Sequence, residues 1–208
     1  MKYATGEIIC FPDDDCKYYP DTFILVEEYL NTSRLDFCIG RIFDRSTNQN
    51  ILRRWPNRTL KIKRFNSYFV NSSITLFVKK NSVLEFDTFL GVGASFGSCE
   101  DADFIYRLVK EKKRGCYFPH IQMWHPAAPS QGISLHKVYS YASGFGFFVR
   151  KDCDIVKVIF LFLLILKKIL QATLSYKRQI YPEFYFKTYF SGLIFGLTHK
   201  NHPHKKHK

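Results

Sequence analysis

The sequence predicts an α/β fold followed by two apolar helices. Short apolar strands alternate with helical segments over residues 1–153, a pattern typical of a sheet covered by helices. Two acidic runs, Asp13–Asp15 and Glu100–Asp103, stand at the end of a predicted strand and at the start of a predicted helix. Ligands of open α/β sheets bind beyond the carboxyl ends of strands, so we expect both runs to face one pocket.

The predicted elements are separated by polar or glycine-rich segments. The predicted strands are the apolar runs at residues 5–11, 37–43, 60–63 and 73–78 and two shorter extended pieces at 116–118 and 121–124. A first helix is predicted to begin at Pro20, which suits the first turn of a helix, and to continue to Leu30. Residues 44–58 are polar and predict a loop.

A second helix is predicted after the glycine-rich segment 86–98. Ser98 is predicted to be its N-cap, with Asp101 three residues later in a capping-box spacing. Its apolar face comprises Phe104, Ile105, Leu108 and Val109. A basic stretch follows, and Gly115 is predicted to end the helix.

The last third of the chain is both apolar and basic. Val158–Leu166 is an uninterrupted apolar run with lysines on both sides. A membrane-spanning helix needs about 20 apolar residues, so this run predicts a helix that lies in the membrane interface, with its lysines reaching towards the headgroups. A second apolar stretch at 181–197 could lie beside it. The alternative is two core helices packed on the domain.

The net charge of +13 is concentrated in the same region. Residues 154–208 contain ten lysines and arginines and two acidic residues. Such a basic excess suits either nucleic acid or an anionic membrane surface. The sequence motifs of common RNA-binding modules are absent, and the charge accompanies the apolar run. The expected partner is therefore a membrane surface and not nucleic acid.

The six cysteines are scattered and form no CxxC pair. Together with an N-terminus that does not read as a signal peptide, this pattern argues for reduced thiols in the cytosol and against a zinc site or a disulfide framework. We therefore expect the chain at the cytoplasmic face of the cell membrane, as a peripheral or monotopic protein.

Asp13, Asp14 and Asp15 predict a cation site. Three adjacent carboxylates repel one another unless a cation lies among them. Hard oxygen ligands suit Mg²⁺ or Mn²⁺ that accompanies a substrate phosphate. The alternative is a solvated acidic turn between a strand and a helix.

Glu100 and Asp101 admit two interpretations. Carboxylates in the first turn of a helix cap free N–H groups and interact favourably with the helix dipole. Alternatively, one of them faces a cleft as a general base, because the preceding glycines permit close backbone approach. His125 follows an apolar extended piece and is a third candidate, although a lone histidine is more often structural.

Taken in order, these motifs resemble the inverting family 2 glycosyltransferases of the GT-A fold. Lys2–Phe11 is similar to the strand that leads to the family's DxD motif, and Asp13–Asp15 occupies that motif. Phe86–Gly93 followed by Gly97–Leu108 is similar to the acceptor-side pattern, which includes a Glu-Asp pair. The resemblance extends from residue 2 to about residue 153.

The resemblance implies a role for each motif residue. Asp13 and Asp15 would hold Mg²⁺ or Mn²⁺ with His125, while Asp13 and Asp14 would bind the nucleotide-sugar donor. Asp101 would be the catalytic base that deprotonates the acceptor hydroxyl. The implied acceptor-side or positioning residues are Glu100, Asp103, Gly91, Gly93 and Arg107. For Arg107 the alternative is a solvated charge on the helix.

The resemblance also implies a partial domain. The family's fold begins with nucleotide-binding βα units before the DxD strand, whereas that strand begins here at residue 5. We therefore expect a truncated, Rossmann-like GT-A domain with a mixed sheet at 1–153, a membrane-associating segment of amphipathic helices at 154–198 and a basic disordered tail at 199–208. Donor binding by such a fragment should be weak.

The predicted function is the transfer of a sugar, with inversion, from a nucleotide-diphosphate sugar to a glycan or lipid-linked acceptor. Such a reaction belongs to the synthesis of cell-surface polysaccharide. The alternative is a non-catalytic, membrane-associated remnant or binding protein.

Overall fold

The computed structural model describes residues 3–127, 133–178 and 184–199, and the chain divides into two compact units. One unit comprises Met1–Asp87 and Glu100–Gln131, and the other comprises Thr88–Cys99 and Gly132–Lys208. The first unit contains the sheet and the second contains three long helices, so the chain is a mixed α/β protein with a helical part.

Over its described residues, 3–87 and 100–127, the first unit contains seven strands and three helices. The strands are β1 (Ile8–Cys10), β2 (Lys17–Tyr18), β3 (Phe37–Asp44), β4 (Gln49–Asn50), β5 (Leu60–Lys61), β6 (Leu76–Lys79) and β7 (Gly115–Trp124). The helices are α1 (Thr22–Thr32), α2 (Arg64–Ser67) and α3 (Glu100–Lys110), and two short 3₁₀ turns lie at Ser73–Thr75 and Lys80–Ser82.

The seven strands form one mixed sheet in the order β1-β6-β3-β7-β2, with β4 beside β3 and β5 beside β7. β6 is antiparallel to both β1 and β3, and β3 is parallel to β7. It follows that β1, β3 and β7 run in the same direction. Their carboxyl ends therefore lie at one end of the sheet, which is where ligands bind in many α/β proteins.

The core of this unit lies around the central strands. β3 is buried along most of its length because it pairs with both β6 and β7. Helix α1 adds Val26 and Leu30 to the core. Helix α3 adds Phe104, Ile105 and Leu108, with Val109 packed at the edge, so its predicted apolar face is confirmed.

The predicted break between residues 118 and 121 is wrong, because β7 is one continuous ten-residue strand. The register between β3 and β7 shifts between Ile39 and Arg41, opposite the stretch of β7 that contains Pro119. Proline has no N–H to donate to a sheet, and the register shift accommodates it. Gly40 lies at the same place, where an added Cβ would collide with the carbonyl of Ile121.

The ends of α3 also differ from the prediction. The helix begins at Glu100, and the hydroxyl of the predicted N-cap Ser98 donates instead to the carbonyl of Tyr141 at 2.9 Å. At the other end Lys112 adopts a left-handed conformation with φ 62°, and the amide of Lys113 donates to the carbonyl of Leu108 at 3.0 Å. This pattern matches a Schellman ending and closes the helix before Gly115, which begins β7.

Two further predictions change in detail. Residues 73–75 form a 3₁₀ turn, so the strand predicted at 73–78 is shorter and begins at Leu76. The predicted helix at 20–30 is observed from Thr22 to Thr32. Most of the predicted tail, residues 200–208, lies outside the described residues.

The second unit contains α4 (Leu135–Arg150), α5 (Ile155–Arg178) and α6 (Tyr185–Thr198). Helices α4 and α6 approach each other closely at Gly192 and Gly196 of α6. A Cβ at Gly192 would meet the carbonyl of Tyr139, and a Cβ at Gly196 would meet the carbonyl of Ser143. The missing side chains thus allow the two helix backbones to touch.

Lys157 joins α5 to the end of α4. Its side chain is only 1% exposed, and Nζ donates to the carbonyls of Phe148 and Lys151 at 2.7 and 2.6 Å. These carbonyls lie at the carboxyl end of α4, where no helical N–H is available to them. The expectation that this lysine reaches towards lipid headgroups is therefore wrong. Among the described helices, none is long and apolar enough to cross a membrane.

We expect Gly196→Ala to weaken the α4–α6 packing. The added methyl group collides with backbone, which cannot move as a side chain can, and overpacking of this kind costs about 1–3 kcal/mol. Ser191→Ala, at an exposed position of the same helix, is the control. Urea denaturation followed by circular dichroism would measure both. Equal stability of the two variants would contradict the close contact.

Candidate metal and catalytic site

The Asp13–Asp15 turn joins two strands on opposite edges of the sheet. β1 pairs with β6 at one edge, and β2 pairs with β7 at the other. The amide of Cys16 donates to the carbonyl of Asp13 at 3.3 Å, so an acidic turn is present, but it joins two strands and not, as the alternative interpretation had it, a strand and a helix. The side chains of Asp13 and Asp15 are about half exposed, at 54% and 52%.

Strand pairing brings His125 to this turn. Lys17 of β2 lies opposite Trp124 of β7, so the residues that precede Lys17 face those that follow Trp124. The Nε2 atom of His125 is 3.3 Å from Oδ1 of Asp15 and 3.8 Å from Oδ2 of Asp13. One ligand atom from each residue lies within 4.8 Å of the other two.

The orientation of the His125 ring fits metal binding. Nδ1 lies 2.7 Å from the carbonyl oxygen of Pro126, and a carbonyl can only accept, so Nδ1 carries the hydrogen. The Nε2 lone pair then faces two carboxylates, which are also acceptors. A metal ion between Nε2 and the two carboxylates would interact favourably with all three groups.

Glu100 connects the second acidic run to this turn. Burial raises the pKa of Glu100, and the negative charges of Asp101 and Asp13 raise it further. The influence of Asp13 means that the start of α3 and the Asp13–Asp15 turn are electrostatic neighbours within the first unit.

Asp101 lies in the first turn of α3. Burial raises the pKa of Asp101, while the amide of Ala102, which donates to its Oδ1 at 2.7 Å, and the nearby charge of Arg53 lower it. The net direction is upward. A carboxylate with a raised pKa is a stronger base than an exposed aspartate, so Asp101 is chemically suited to accept a proton.

An aromatic cluster holds the two acidic runs in place. The ring of Phe11 lies 5.0 Å from Phe86 and 5.6 Å from Phe104, in edge-to-face arrangements. Phe86 and Phe104 stack at 4.6 Å. Phe11 precedes the aspartate turn and Phe104 directly follows the second acidic run, so this contact fixes one relative to the other.

Asp103 and Arg107 form an ion pair within α3. The Asp103 side chain is 1% exposed, and its Oδ2 accepts from Nε of Arg107 at 2.7 Å. Arg107 also donates to the carbonyl of Glu85 at 2.8 Å. The pair thus fastens the first turns of α3 to the segment before it. Arg107 orients Asp103 and is not a purely solvated charge.

The two glycines of the predicted acceptor loop lie in the second unit. Gly91 and Gly93 have φ values of 109° and 81°, which favour glycine over other residues. The amide of Gly91 donates to the carbonyl of Phe96 at 2.9 Å and closes the turn.

Asp14 lies in the first unit, exposed in the acidic turn, but is not part of the three-residue ligand cluster.

Arg53 is a candidate that the sequence analysis did not find. It lies in the segment predicted as a polar loop, and its charge lowers the pKa of Asp101. Its guanidinium stands 5.1 Å from the centre of the buried Trp55 ring. The only local sign of this contact is a basic residue two positions before a tryptophan, and no spacing in the sequence connects that residue with Asp101.

No protein-family model matches the chain, and the search of curated proteins gives no match either.

Because the pKa of Asp101 is raised in the folded state, the free energy of unfolding should depend on pH through this residue. Its folded-state pKa lies above the unfolded value, so the carboxyl stabilises the fold below the unfolded pKa and this contribution is lost as pH rises through the folded pKa. We expect Asp101→Asn to be more favourable, relative to wild type, at pH of about 7 than at about 4. Unfolding free energies at both pH values measure this. Asp14→Asn, at an exposed site, is the control, and an equal change between the two pH values in both variants would contradict the raised pKa of Asp101.

Proposed function

We propose that the first unit carries the metal-binding and base residues of an inverting glycosyltransferase that uses a nucleotide-diphosphate sugar. The observation that supports it best is the proximity of two chemically different groups. One is the cluster of Asp13, Asp15 and His125, and the other is Glu100 at the start of α3, whose pKa the charge of Asp13 raises and which precedes Asp101 in the chain.

The three side chains of the cluster fit a divalent cation. They offer two carboxylate oxygens and one imidazole nitrogen whose tautomer is fixed by Pro126. Mg²⁺ prefers oxygen ligands, whereas Mn²⁺ accepts oxygen and imidazole ligands together. Of the two ions, a set of two carboxylates and one imidazole therefore favours Mn²⁺ over Mg²⁺. A bound cation would supply charge neutralisation for a diphosphate leaving group.

Asp101 is the proposed base. It would take the proton from an acceptor hydroxyl as that oxygen forms a bond to the anomeric carbon. The bond from the anomeric carbon to the diphosphate oxygen breaks in the same step, and the configuration inverts. The raised pKa of Asp101 favours this role, because a carboxylate with a higher pKa is the stronger base.

The neighbours of Asp101 have supporting roles in this proposal. The ion pair of Asp103 and Arg107 holds the first turns of α3. The negative charges of Asp101 and Asp13 both raise the pKa of Glu100. The acceptor class proposed is a glycan or a lipid-linked glycan at the cytoplasmic face of the membrane. The alternative of a non-catalytic membrane-associated protein keeps the same fold but assigns no proton transfer to Asp101.

We expect Mn²⁺ to bind the wild-type chain and to bind Asp15→Asn and His125→Ala at least about tenfold more weakly, because each variant removes a ligand. Isothermal titration with Mn²⁺ alone measures this without any sugar donor. Asp14→Asn is the matched control, since it removes the same charge one residue away. A loss in Asp14→Asn equal to that in Asp15→Asn would show that net charge, and not ligation, attracts the ion.

We expect Asp101→Asn to lower sugar transfer by about 10²–10⁴-fold, the usual contribution of a general base, while Mn²⁺ affinity stays unchanged. The assay incubates the chain and Mn²⁺ with a panel of radiolabelled nucleotide-sugars and membranes as acceptor, and measures label transferred. Transfer that survives in Asp101→Asn would rule out the base. Mn²⁺ binding at the cluster without transfer from any donor would favour the non-catalytic alternative.

A further inference from the structure

The exposed side of α5 is apolar along nearly the whole helix. Nine large apolar side chains of this helix are at least 44% exposed. They are Ile155, Val158, Ile159, Phe162, Leu163, Leu166, Ile169, Leu170 and Leu174. Soluble helices normally place such residues against the core and polar residues outside. An exposed apolar surface of this extent marks a site of interaction.

The apolar surface is broad. At about 100° per residue, the nine positions cover roughly half of the helix circumference. The apolar seam of a two-stranded coiled coil is narrower and is flanked by charged residues of both signs. Within the described side chains of α5, the exposed half contains one charged residue, Lys167, near its margin.

Two other lysines of α5 whose side chains the structure describes, Lys157 and Lys168, are turned towards their own unit. Lys157 is buried against the carboxyl end of α4. Lys168 donates to the hydroxyl of Tyr185 at 2.9 Å, and its Nζ stands 4.5 Å from the centre of the Tyr189 ring. The helix thus presents its apolar side outward and makes its polar contacts inward. This distribution is the reverse of that expected for a helix that faces water.

The charge of the surrounding sequence indicates what covers this surface. Helix α5 contains no aspartate or glutamate, and residues 154–208 contain ten basic and two acidic residues. A second copy of the chain would bring like charges together at this helix without acidic partners for them. An anionic lipid surface offers both an apolar layer for the exposed side chains and negative headgroups for the basic residues.

We propose that the exposed side of α5 inserts into the interfacial layer of an anionic bilayer, with the helix axis parallel to the membrane plane. This orientation agrees with the finding that none of the described helices is suited to cross a membrane. Lys167, at the margin of the apolar surface, lies where its ammonium group meets the headgroups. The inference concerns the second unit and does not depend on the proposed transferase function.

The test uses the full chain and two variants. The first variant, Phe162→Ser/Leu166→Ser, removes two large side chains from the middle of the apolar surface. The second, Ile24→Ser/Leu52→Ser, removes two exposed apolar side chains from the first unit and is the matched control. Because all four positions are exposed, both variants should fold, and circular dichroism with thermal melting confirms that they do.

Each protein is sedimented with vesicles of phosphatidylcholine alone or with one quarter phosphatidylglycerol. Wild type and control should bind the anionic vesicles, and the α5 variant should bind at least about tenfold more weakly, because inserted apolar area dominates such binding. Binding to neutral vesicles should be weaker than binding to anionic ones. Equal binding by the α5 variant and wild type, or no binding by wild type, would overturn the proposal.

A second measurement tests insertion directly. In Phe162→Trp/Trp55→Phe/Trp124→Phe the single tryptophan reports on the α5 surface, and its fluorescence should shift to the blue when anionic vesicles are added. The control Ile24→Trp/Trp55→Phe/Trp124→Phe should show no shift. Sedimentation equilibrium without lipid completes the test. A dimer that the α5 variant dissociates, with no blue shift in lipid, would show that a second copy covers the surface instead.

Discussion

The contact among Phe11, Phe86 and Phe104 is the constraint on which the candidate site depends. The three rings link the end of β1 to the first turns of α3. The pairing of β1 and β2 in the sheet holds the aspartate turn, and the aromatic contact holds the start of α3 relative to that turn. Aromatic packing contributes both buried area and preferred geometry, so it can hold two acidic segments near each other against their repulsion.

The surroundings of the second acidic run change the pKa values of two of its carboxylates. Burial and neighbouring negative charge raise the pKa of Glu100, and burial raises the pKa of Asp101. A carboxylate with a raised pKa costs the fold stability at pH values above its unfolded pKa, and perturbed groups of this kind cluster at functional sites. Asp103 differs, because Arg107 neutralises it inside the helix. Neighbouring carboxylates on one helix therefore differ in environment: the pKa values of Glu100 and Asp101 are raised, and Asp103 is paired with Arg107.

In the second unit, the main feature is the direction of the polar and apolar side chains of α5. Its lysines Lys157 and Lys168 serve as internal hydrogen-bond donors, to helix-terminal carbonyls in one case and to a tyrosine hydroxyl in the other. Because these polar groups are satisfied inward, the outward half of α5 can remain apolar without leaving buried charges unpaired. Helix α5 therefore has its apolar side chains outside and these two lysines inside, an arrangement that suits contact with an apolar layer.

Local pattern in the sequence was sufficient for the existence of β3, α1 and α3 and for the apolar side of α3, because helical and strand periodicities depend on residues only a few positions apart. It was also sufficient to single out Asp13, Asp15, Asp101 and His125 as reactive types. Only the tertiary structure decided that His125 meets Asp15, since that contact depends on the pairing of β2 with β7 across a long stretch of chain. It likewise decided that Lys157 points inward and that Arg53 acts on Asp101. Side-chain direction and long-range pairing are set by packing, which no local spacing of residues records.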